Sequence, residues 1–214
     1  MNLFDVLTDE RDDLSSRISG VVVGVVTNNQ NDPEGLGRVK VKFPWLSDED
    51  ESNWARVAAP MAGKERGFYF LPEVEDEVLV AFEHGDVRFP YIVGSLWNGK
   101  DAQPAKNDDG KNNVRVIKSR SGHVVRLTDE DGKEMIEIVD KSAKNSIVLD
   151  TSKNTITITS DKDIVLSAAQ GKIKLDAKEI EIKSSANAKI EAGGNLDLKA
   201  TGQANVKGQA INLN

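Results

Sequence analysis

The chain contains the stretch Ile173-Lys-Leu-Asp-Ala-Lys-Glu-Ile-Glu-Ile182, in which two apolar-x-apolar triplets start seven residues apart. Twelve such triplets fill the second half, and the steps between their starts shorten from 11 residues to between 7 and 9. They start at Val114, Val125, Ile136, Ile147, Ile156, Ile164, Ile173, Ile180, Ala188, Leu196, Ala204 and Ile211. A triplet is too short to fold alone, so regularly spaced short strands must stack on neighbours. The spacing therefore predicts a stacked β array.

Each triplet has two faces, because alternate residues of a strand point to opposite sides. From Ile173 to Leu198 the middle position is always polar: Lys174, Glu181, Lys189 and Asp197. The pattern predicts one dry face and one wet face. The predicted inner pairs are Ile147/Leu149, Ile156/Ile158, Ile164/Leu166, Ile173/Leu175, Ile180/Ile182 and Leu196/Leu198.

The chain has no aromatic residue after Trp97 and no proline after Pro104, so the array contains neither. Three octads could form one coil of about 24 residues in a single-chain solenoid. Both edges of that solenoid would be exposed, which invites aggregation. Three identical chains wound together would instead pair each other's strands, spaced about 4.8 Å apart. We favour this homotrimer, with the inner pairs on the threefold axis.

The charge is unevenly divided along the chain. Residues 1–100 carry 10 basic and 18 acidic residues, and residues 101–214 carry 18 and 17, so the balances of −8 and +1 give the net −7. An acidic first half disfavours nucleic acid as a partner, because phosphate binding needs clustered positive charge. The chain has no cysteine, which excludes disulfides and thiolate metal sites. Its first residues lack a signal-peptide pattern.

Five segments are predicted. Residues 1–17 form an arm or short helix, 18–97 an OB-type Greek-key barrel, 98–113 a linker, 114–146 a transition collar and 147–214 a needle. The barrel rests on Arg38-Val-Lys-Val-Lys-Phe43, whose alternation is typical of a half-buried strand. Its predicted strands are 18–27, 37–43, 53–59, 67–71, 77–83 and 89–96.

No catalytic, metal-binding or cofactor-binding site is predicted. The acidic runs 48–51 and 73–77 are interpreted as solvated loops, since paired catalytic carboxylates need unequal environments. His84 is interpreted as a turn residue. The segment 129–132 lacks the full set of calcium ligands and is predicted to be a hairpin turn.

Five motifs follow one another along the predicted barrel: Asp32-Pro-Glu-Gly-Leu-Gly-Arg-Val-Lys-Val-Lys-Phe-Pro-Trp-Leu46, Trp54-Ala-Arg-Val-Ala-Ala59, Gly67-Phe-Tyr-Phe-Leu-Pro-Glu-Val-Glu-Asp-Glu-Val78, Val80-Ala-Phe-Glu-His-Gly-Asp86 and Pro90-Tyr-Ile-Val-Gly-Ser-Leu-Trp-Asn98. They resemble the OB domain of contractile-tail spike proteins, the VgrG-like and phage baseplate-assembly-protein-V-like family. The octads then follow, as in the family's triple-stranded β-helix. The resemblance covers residues 18–214.

The resemblance implies an all-β homotrimeric central spike without enzymatic activity. Its OB domains would sit on the baseplate hub, and its needle would cross the target cell envelope when the sheath contracts. A PAAR-type tip protein would cap Ile211, Asn212, Leu213 and Asn214. The junction is too short for the lysozyme domain of some relatives, and the short segment before the barrel implies a separate hub protein. We expect assembly in the cytoplasm and residence in a virion or injection-particle baseplate.

Two other interpretations compete with the spike. One is an OB-fold nucleic-acid or glycan-binding module on a trimeric β stalk. The other is a muralytic enzyme, for which the sequence offers no supporting constellation.

Overall fold

A computed structural model describes residues 17–212. The regular elements among these residues are β-strands and one short 3-10 turn. The predicted N-terminal arm, apart from Arg17, lies outside the described residues, as do Leu213 and Asn214 of the predicted tip interface. The chain divides into two compact units, Met1–Lys162 and Asp163–Asn214. The strands of the first unit are β1 (Val21–Asn28), β2 (Lys40–Phe43), β3 (Ser47–Glu51), β4 (Arg56–Val57), β5 (Ala62–Gly63), β6 (Arg66–Gly67), β7 (Glu77–Phe82), β8 (Pro90–Ser95), β9 (Val114–Lys118), β10 (Val124–Thr128), β11 (Met135–Val139), β12 (Ser146–Asp150) and β13 (Thr155–Thr159).

The first part of this unit is a six-stranded sheet with the order β3-β2-β1-β7-β8-β4. All its neighbours are antiparallel except β4 and β8, which run parallel. Val39 and Ala55 exchange backbone hydrogen bonds of 3.0 and 2.7 Å, which ties the start of β2 to the segment leading into β4. The sheet therefore curls onto itself in the OB manner, and the prediction of an all-β fold with an N-terminal OB domain is confirmed.

The OB sheet encloses the hydrophobic core. Strand β7 alternates half-buried and buried residues along Glu77–Phe82, as the alternation of its sequence requires. Nine side chains form the core: Val26, Val39, Val41, Phe43, Ala55, Val78, Val80, Phe82 and Ile92. Among the described residues every fully buried hydrophobic side chain belongs to this set, so the core ends before residue 93.

Three features of the OB domain differ from the sequence-based predictions. The acidic run 48–51 is not a loop, because it lies in β3 and pairs antiparallel with β2. There the Glu51 carboxylate accepts a hydrogen bond from Lys40 at 3.1 Å. This contact stabilises an edge strand whose acidic residues have a low preference for strands. The predicted strand 53–59 shrinks to β4, and the predicted strand 67–71 is replaced by the β5–β6 hairpin.

The second part of the first unit is an antiparallel meander, with the order β13-β12-β11-β10-β9. Each of its five strands has five residues, and connections of four to six residues join them. The pairing runs without a break from Val114 to Thr159, across the predicted collar–needle boundary at residue 147. The change in triplet spacing at that boundary does not coincide with a change of structure.

The second unit is described up to Asn212 and forms no strand with itself among those residues. Bends recur near Lys178, Ser185, Gly193, Thr201 and Gln209, in steps of seven or eight residues. One backbone–backbone hydrogen bond occurs between 163 and 212, from the Gly171 N–H to the Ala168 carbonyl at 3.2 Å. The bends thus repeat at the octad spacing of the sequence, although residues 163–212 do not pair with one another as strands.

Candidate functional site: an uncovered aliphatic surface

The register of the meander collects aliphatic side chains on one side of the sheet. Val125 faces Ile138, which faces Ile147, which in turn faces Ile158. A second row joins Leu127, Ile136, Leu149 and Ile156 in the same way, and Ile117 extends the first row onto β9. We call the following nine residues the aliphatic face: Ile117, Val125, Leu127, Ile136, Ile138, Ile147, Leu149, Ile156 and Ile158.

No side chain of the described chain covers the aliphatic face to the degree expected of a core. Its nine residues retain between 37% and 72% of their accessible surface. Such exposure is costly, since full burial of one such side chain is worth about 1.5–3 kcal/mol. Contiguous exposed apolar patches of this kind mark interaction surfaces in soluble proteins.

The opposite side of the meander is mixed and more polar. Arg126 and Glu137 face each other there, with 3.6 Å between Nη1 and Oε2. The same side carries Thr128, Asp150 and the three threonines of β13. The two sides therefore differ in chemistry as the triplet pattern predicts, and no described side chain covers the aliphatic side.

The first triplet departs from the predicted phase. Val116 faces Arg126 rather than Val125, so Val114 and Val116 lie on the polar side and Ile117 takes the aliphatic position. The cause is the five-residue connection 119–123, which sets the register of β9 against β10. The run Val116-Ile117 holds apolar residues in both phases, so the triplet rule could not select the correct one.

The structure brings together four of the twelve predicted axis residues. Ile147 pairs with Ile158, and Leu149 with Ile156. The other eight belong to the second unit, where all of them are exposed, from 52% for Ile180 to 82% for Leu198. These eight are Ile164, Leu166, Ile173, Leu175, Ile180, Ile182, Leu196 and Leu198. Their position on a threefold axis stays a prediction, as does a tip interface at the exposed Ile211 and Asn212.

The accessible surface of the whole chain is also larger than expected for a folded monomer. It amounts to 18515 Å². A folded monomer of this mass, 23.3 kDa, exposes about 9,700 Å² by the scaling of surface with mass. The single chain thus exposes nearly twice the expected surface, and each residue from 161 to 212 is exposed.

Four carboxylates with lowered pKa values accept hydrogen bonds within turns. Arg38 holds the pKa of Asp32 far below its usual range, with Oδ1 accepting from Nη2 at 2.6 Å and from Nε at 3.0 Å. Arg88 lowers the pKa of Asp86 to about 2, Ser142 lowers that of Asp140 to about 2, and Lys153 lowers that of Asp150 to about 2. A general acid at neutral pH needs a raised pKa, the opposite direction.

The remaining candidate positions lie in turns. His84 adopts φ 51° in the 3-10 turn Glu83–Gly85 between β7 and β8. The segment 129–132 lies in the connection between β10 and β11, where Arg115 bonds to Asp129. Among the side chains that the structure describes, no three His, Asp or Glu residues cluster closely enough to hold a metal ion.

Comparison with known proteins agrees with this architecture. The family model for the type VI secretion system and phage-baseplate injector OB domain matches residues 22–97, the curled sheet that holds the core. The first domain is therefore an injector OB domain, similar to that of VgrG-like spike proteins. The match ends at Trp97, the last aromatic residue of the chain.

Two relatives of this chain carry spike names, and a third is named as a toxin. It is 30% identical over 131 residues to the type VI secretion system spike protein VgrG3 of Vibrio cholerae, which covers 56% of this chain and 13% of that protein. It is 30% identical over 123 residues to the spike protein VgrG1a of Pseudomonas aeruginosa, covering 52% and 19%. It is 32% identical over 108 residues to the actin cross-linking toxin VgrG1 of Vibrio cholerae, covering 47% and 10%. These matches span less than a fifth of each relative.

Among residues 17–212 there is no helix with the length and apolarity needed to cross a membrane.

Proposed function

We propose that this chain is the structural central spike of a contractile injection machine and acts as a homotrimer. One observation carries the proposal: an injector OB domain is followed by a meander whose aliphatic face no described side chain covers, and then by residues 163–212, whose backbone groups form a single hydrogen bond with one another. Buried backbone groups must be paired, and exposed aliphatic rows must be covered. Three copies of the same array satisfy both requirements.

The trimer would have two modes of contact. In the meander each chain supplies a complete five-stranded sheet, so three aliphatic faces can pack against one another around the axis. In the second unit each chain supplies single extended segments between bends, so neighbouring chains must provide the strand pairing. The product is a prism in which every layer is hydrogen-bonded, which suits transmission of force along its length.

The working parts follow from this arrangement. The OB domains contact the baseplate hub, the end near Ile211 and Asn212 receives a PAAR-type tip protein, and the needle crosses the target envelope on sheath contraction. The action is mechanical and needs no catalytic residue or cofactor. The spike names of the relatives and the OB match support placement in an injection machine.

The mass of the purified protein tests the proposal. Light scattering should give three times the chain mass, and an unheated SDS gel should retain a trimer band that disappears on boiling. A monomer in light scattering would contradict the spike. The Lys174→Asp variant, which changes a residue of the outer face, should behave like the wild type.

One observation favours a second function for the OB domain, in glycan or nucleic-acid binding. A groove of about 450 Å³ on this domain is lined by three arginines and three aromatic residues: Arg38, Arg56, Arg88, Trp54, Phe89 and Tyr91. Two of the arginines stack on aromatic rings, Arg56 on Tyr91 at 5.6 Å and Arg88 on Phe89 at 5.7 Å. Arg38 and Arg88 already pair with carboxylates, so the groove suits a neutral glycan better than a phosphate chain.

Filter binding with cell-wall glycan and with single-stranded DNA separates the two functions. We expect neither ligand to bind tightly if the chain is only a spike. Tight binding that is lost in a Tyr91→Ala variant would establish the groove as a site.

A further inference from the structure

We infer that the free edge of β13 accepts the strand Ile164–Leu166 of a second copy of this chain, and that Asn145 and Asp161 hold the chain where this exchange begins. The inference deepens the proposed function and rests on it, since it names the first layer in which the chains of the trimer pair with one another.

The two edges of the meander differ in their protection. Strand β9 has Arg115 and Lys118 on its five residues, and charged residues on an edge strand discourage pairing with another chain. Strand β13 reads Thr-Ile-Thr-Ile-Thr and has no charge and no proline. Its residues favour strands, and among the described residues it pairs with β12 alone. The β13 edge is therefore built to accept a strand.

The exit from β13 is tied to an earlier turn. The Asn145 Oδ1 atom accepts hydrogen bonds from the Ser160 hydroxyl and from the Asp161 N–H, both at 3.1 Å. The Lys144 ammonium group lies 2.8 Å from the Asp161 carboxylate. Because Lys144 and Asn145 belong to the connection between β11 and β12, these contacts fasten the residues that leave β13 to that connection.

The register also opposes a sixth hairpin in the same chain. Four residues, 151–154, connect Asp150 to its partner Thr155. Four residues, 160–163, likewise separate Thr159 from Ile164. An equivalent hairpin would pair Thr159 with Ile164 and Thr157 with Leu166, placing both aliphatic residues on the polar side. A strand from a second copy has no such constraint and can align Ile164 and Leu166 with Ile156 and Ile158.

Engineered cysteines can test the exchange cleanly, because the chain has none of its own. Thr157 and Val165 are the middle residues of their triplets, so they become neighbours on the outer side only if the aliphatic residues align. In full-length Thr157→Cys/Val165→Cys protein, oxidation or a short bis-maleimide should give a covalent trimer on a denaturing gel. The matched control is Val148→Cys/Thr157→Cys, a facing pair of β12 and β13, which should give a covalent monomer.

The outcomes are distinguishable from failure of the trimer itself. A covalent monomer of Thr157→Cys/Val165→Cys, or no cross-link at all in a sample that light scattering shows to be trimeric, would overturn the strand exchange and leave the spike intact. A monomer in light scattering would overturn the proposed function.

The role of Asn145 is tested in the same background. Asn145→Ala removes the acceptor that both Ser160 and Asp161 use, and should lower the fraction of covalent trimer severalfold. Ser152→Ala removes a hydrogen bond to Asp150 in the neighbouring turn and should leave that fraction unchanged. Equal fractions in Asn145→Ala and Ser152→Ala would show that Asn145 does not direct the exchange.

Discussion

The OB domain and the C-terminal half use valine, isoleucine and leucine in the same alternating way and bury them differently. In the OB domain the sheet curls until its inner side chains meet one another, so Val80 and Ile92 lose nearly all contact with solvent. In the meander the sheet remains open, and Leu149 keeps more than a third of its accessible surface. Among residues 163–212 the backbone groups form only one hydrogen bond with one another. Alternation specifies which side is apolar, but the closure of the sheet decides whether one chain suffices to bury it.

Placing a charge on the predicted axis should break the C-terminal half completely. Ile173→Asp would bring three carboxylates together in a dry interior. The desolvation free energy of an unpaired buried carboxylate far exceeds the free energy that burial of one aliphatic layer provides. We expect loss of the SDS-resistant band and a threefold lower mass in light scattering. Lys174→Asp, one residue away on the outer face, should remain trimeric. Equal behaviour of the two variants would mean that the inward and outward assignments are wrong.

A cavity in the OB core should weaken that domain without involving other chains. Ile92→Ala should lower its free energy of unfolding by about 2–5 kcal/mol. The measurement is urea denaturation followed by tryptophan fluorescence, in the Ile173→Asp background that removes the trimer. Val93→Ala is the control, since Val93 is 44% exposed. The absence of a cooperative transition in this background would contradict an OB domain that folds within one chain.

Acid should loosen the meander through its turns. Ser142, with backbone and side-chain hydrogen bonds from Asn145, lowers the pKa of Asp140 to about 2, and Lys153 and Ser152 lower that of Asp150 to about 2. Because the folded pKa lies below the unfolded value of 3.8, the stabilisation is complete above about pH 4 and is lost as the pH falls toward 2. Thermal unfolding across that range should show a smaller decline for Asp140→Asn than for the control Asp131→Asn. Identical declines would assign the acid sensitivity elsewhere.

The ion pair on the polar side of the meander should matter least. Glu137→Gln removes the partner of Arg126, but Arg126 is 43% exposed and the distance is 3.6 Å. Exposed pairs contribute about 0.2–1 kcal/mol, so we expect a change of that size in thermal unfolding and no change in mass. A loss of trimers in this variant would show that the polar side, rather than the aliphatic face, mediates contact between chains.

Alternation in the sequence was sufficient to predict the OB sheet and the side of the meander that Ile147, Leu149, Ile156 and Ile158 share. It failed where pairing overrides local preference. The acidic sequence of β3 predicts a loop, yet its hydrogen bonds to β2 and the Lys40–Glu51 contact hold it in the sheet. The phase of β9 was wrong because the length of a connection, not composition, places Ile117 on the aliphatic face. The Asn145–Asp161 contact joins residues of two turns and leaves no periodic signal.

The recurrence of bends every eight residues has a consequence for how such a needle can change over evolutionary time. Eight is an even number, so duplication or deletion of one octad leaves every later side chain on its original side of the strand. A step of seven or nine residues, which also occurs in this chain, would reverse the two sides unless the bend accommodates the missing or extra residue. The length of the needle can therefore change during evolution one octad at a time, without redesign of the OB domain.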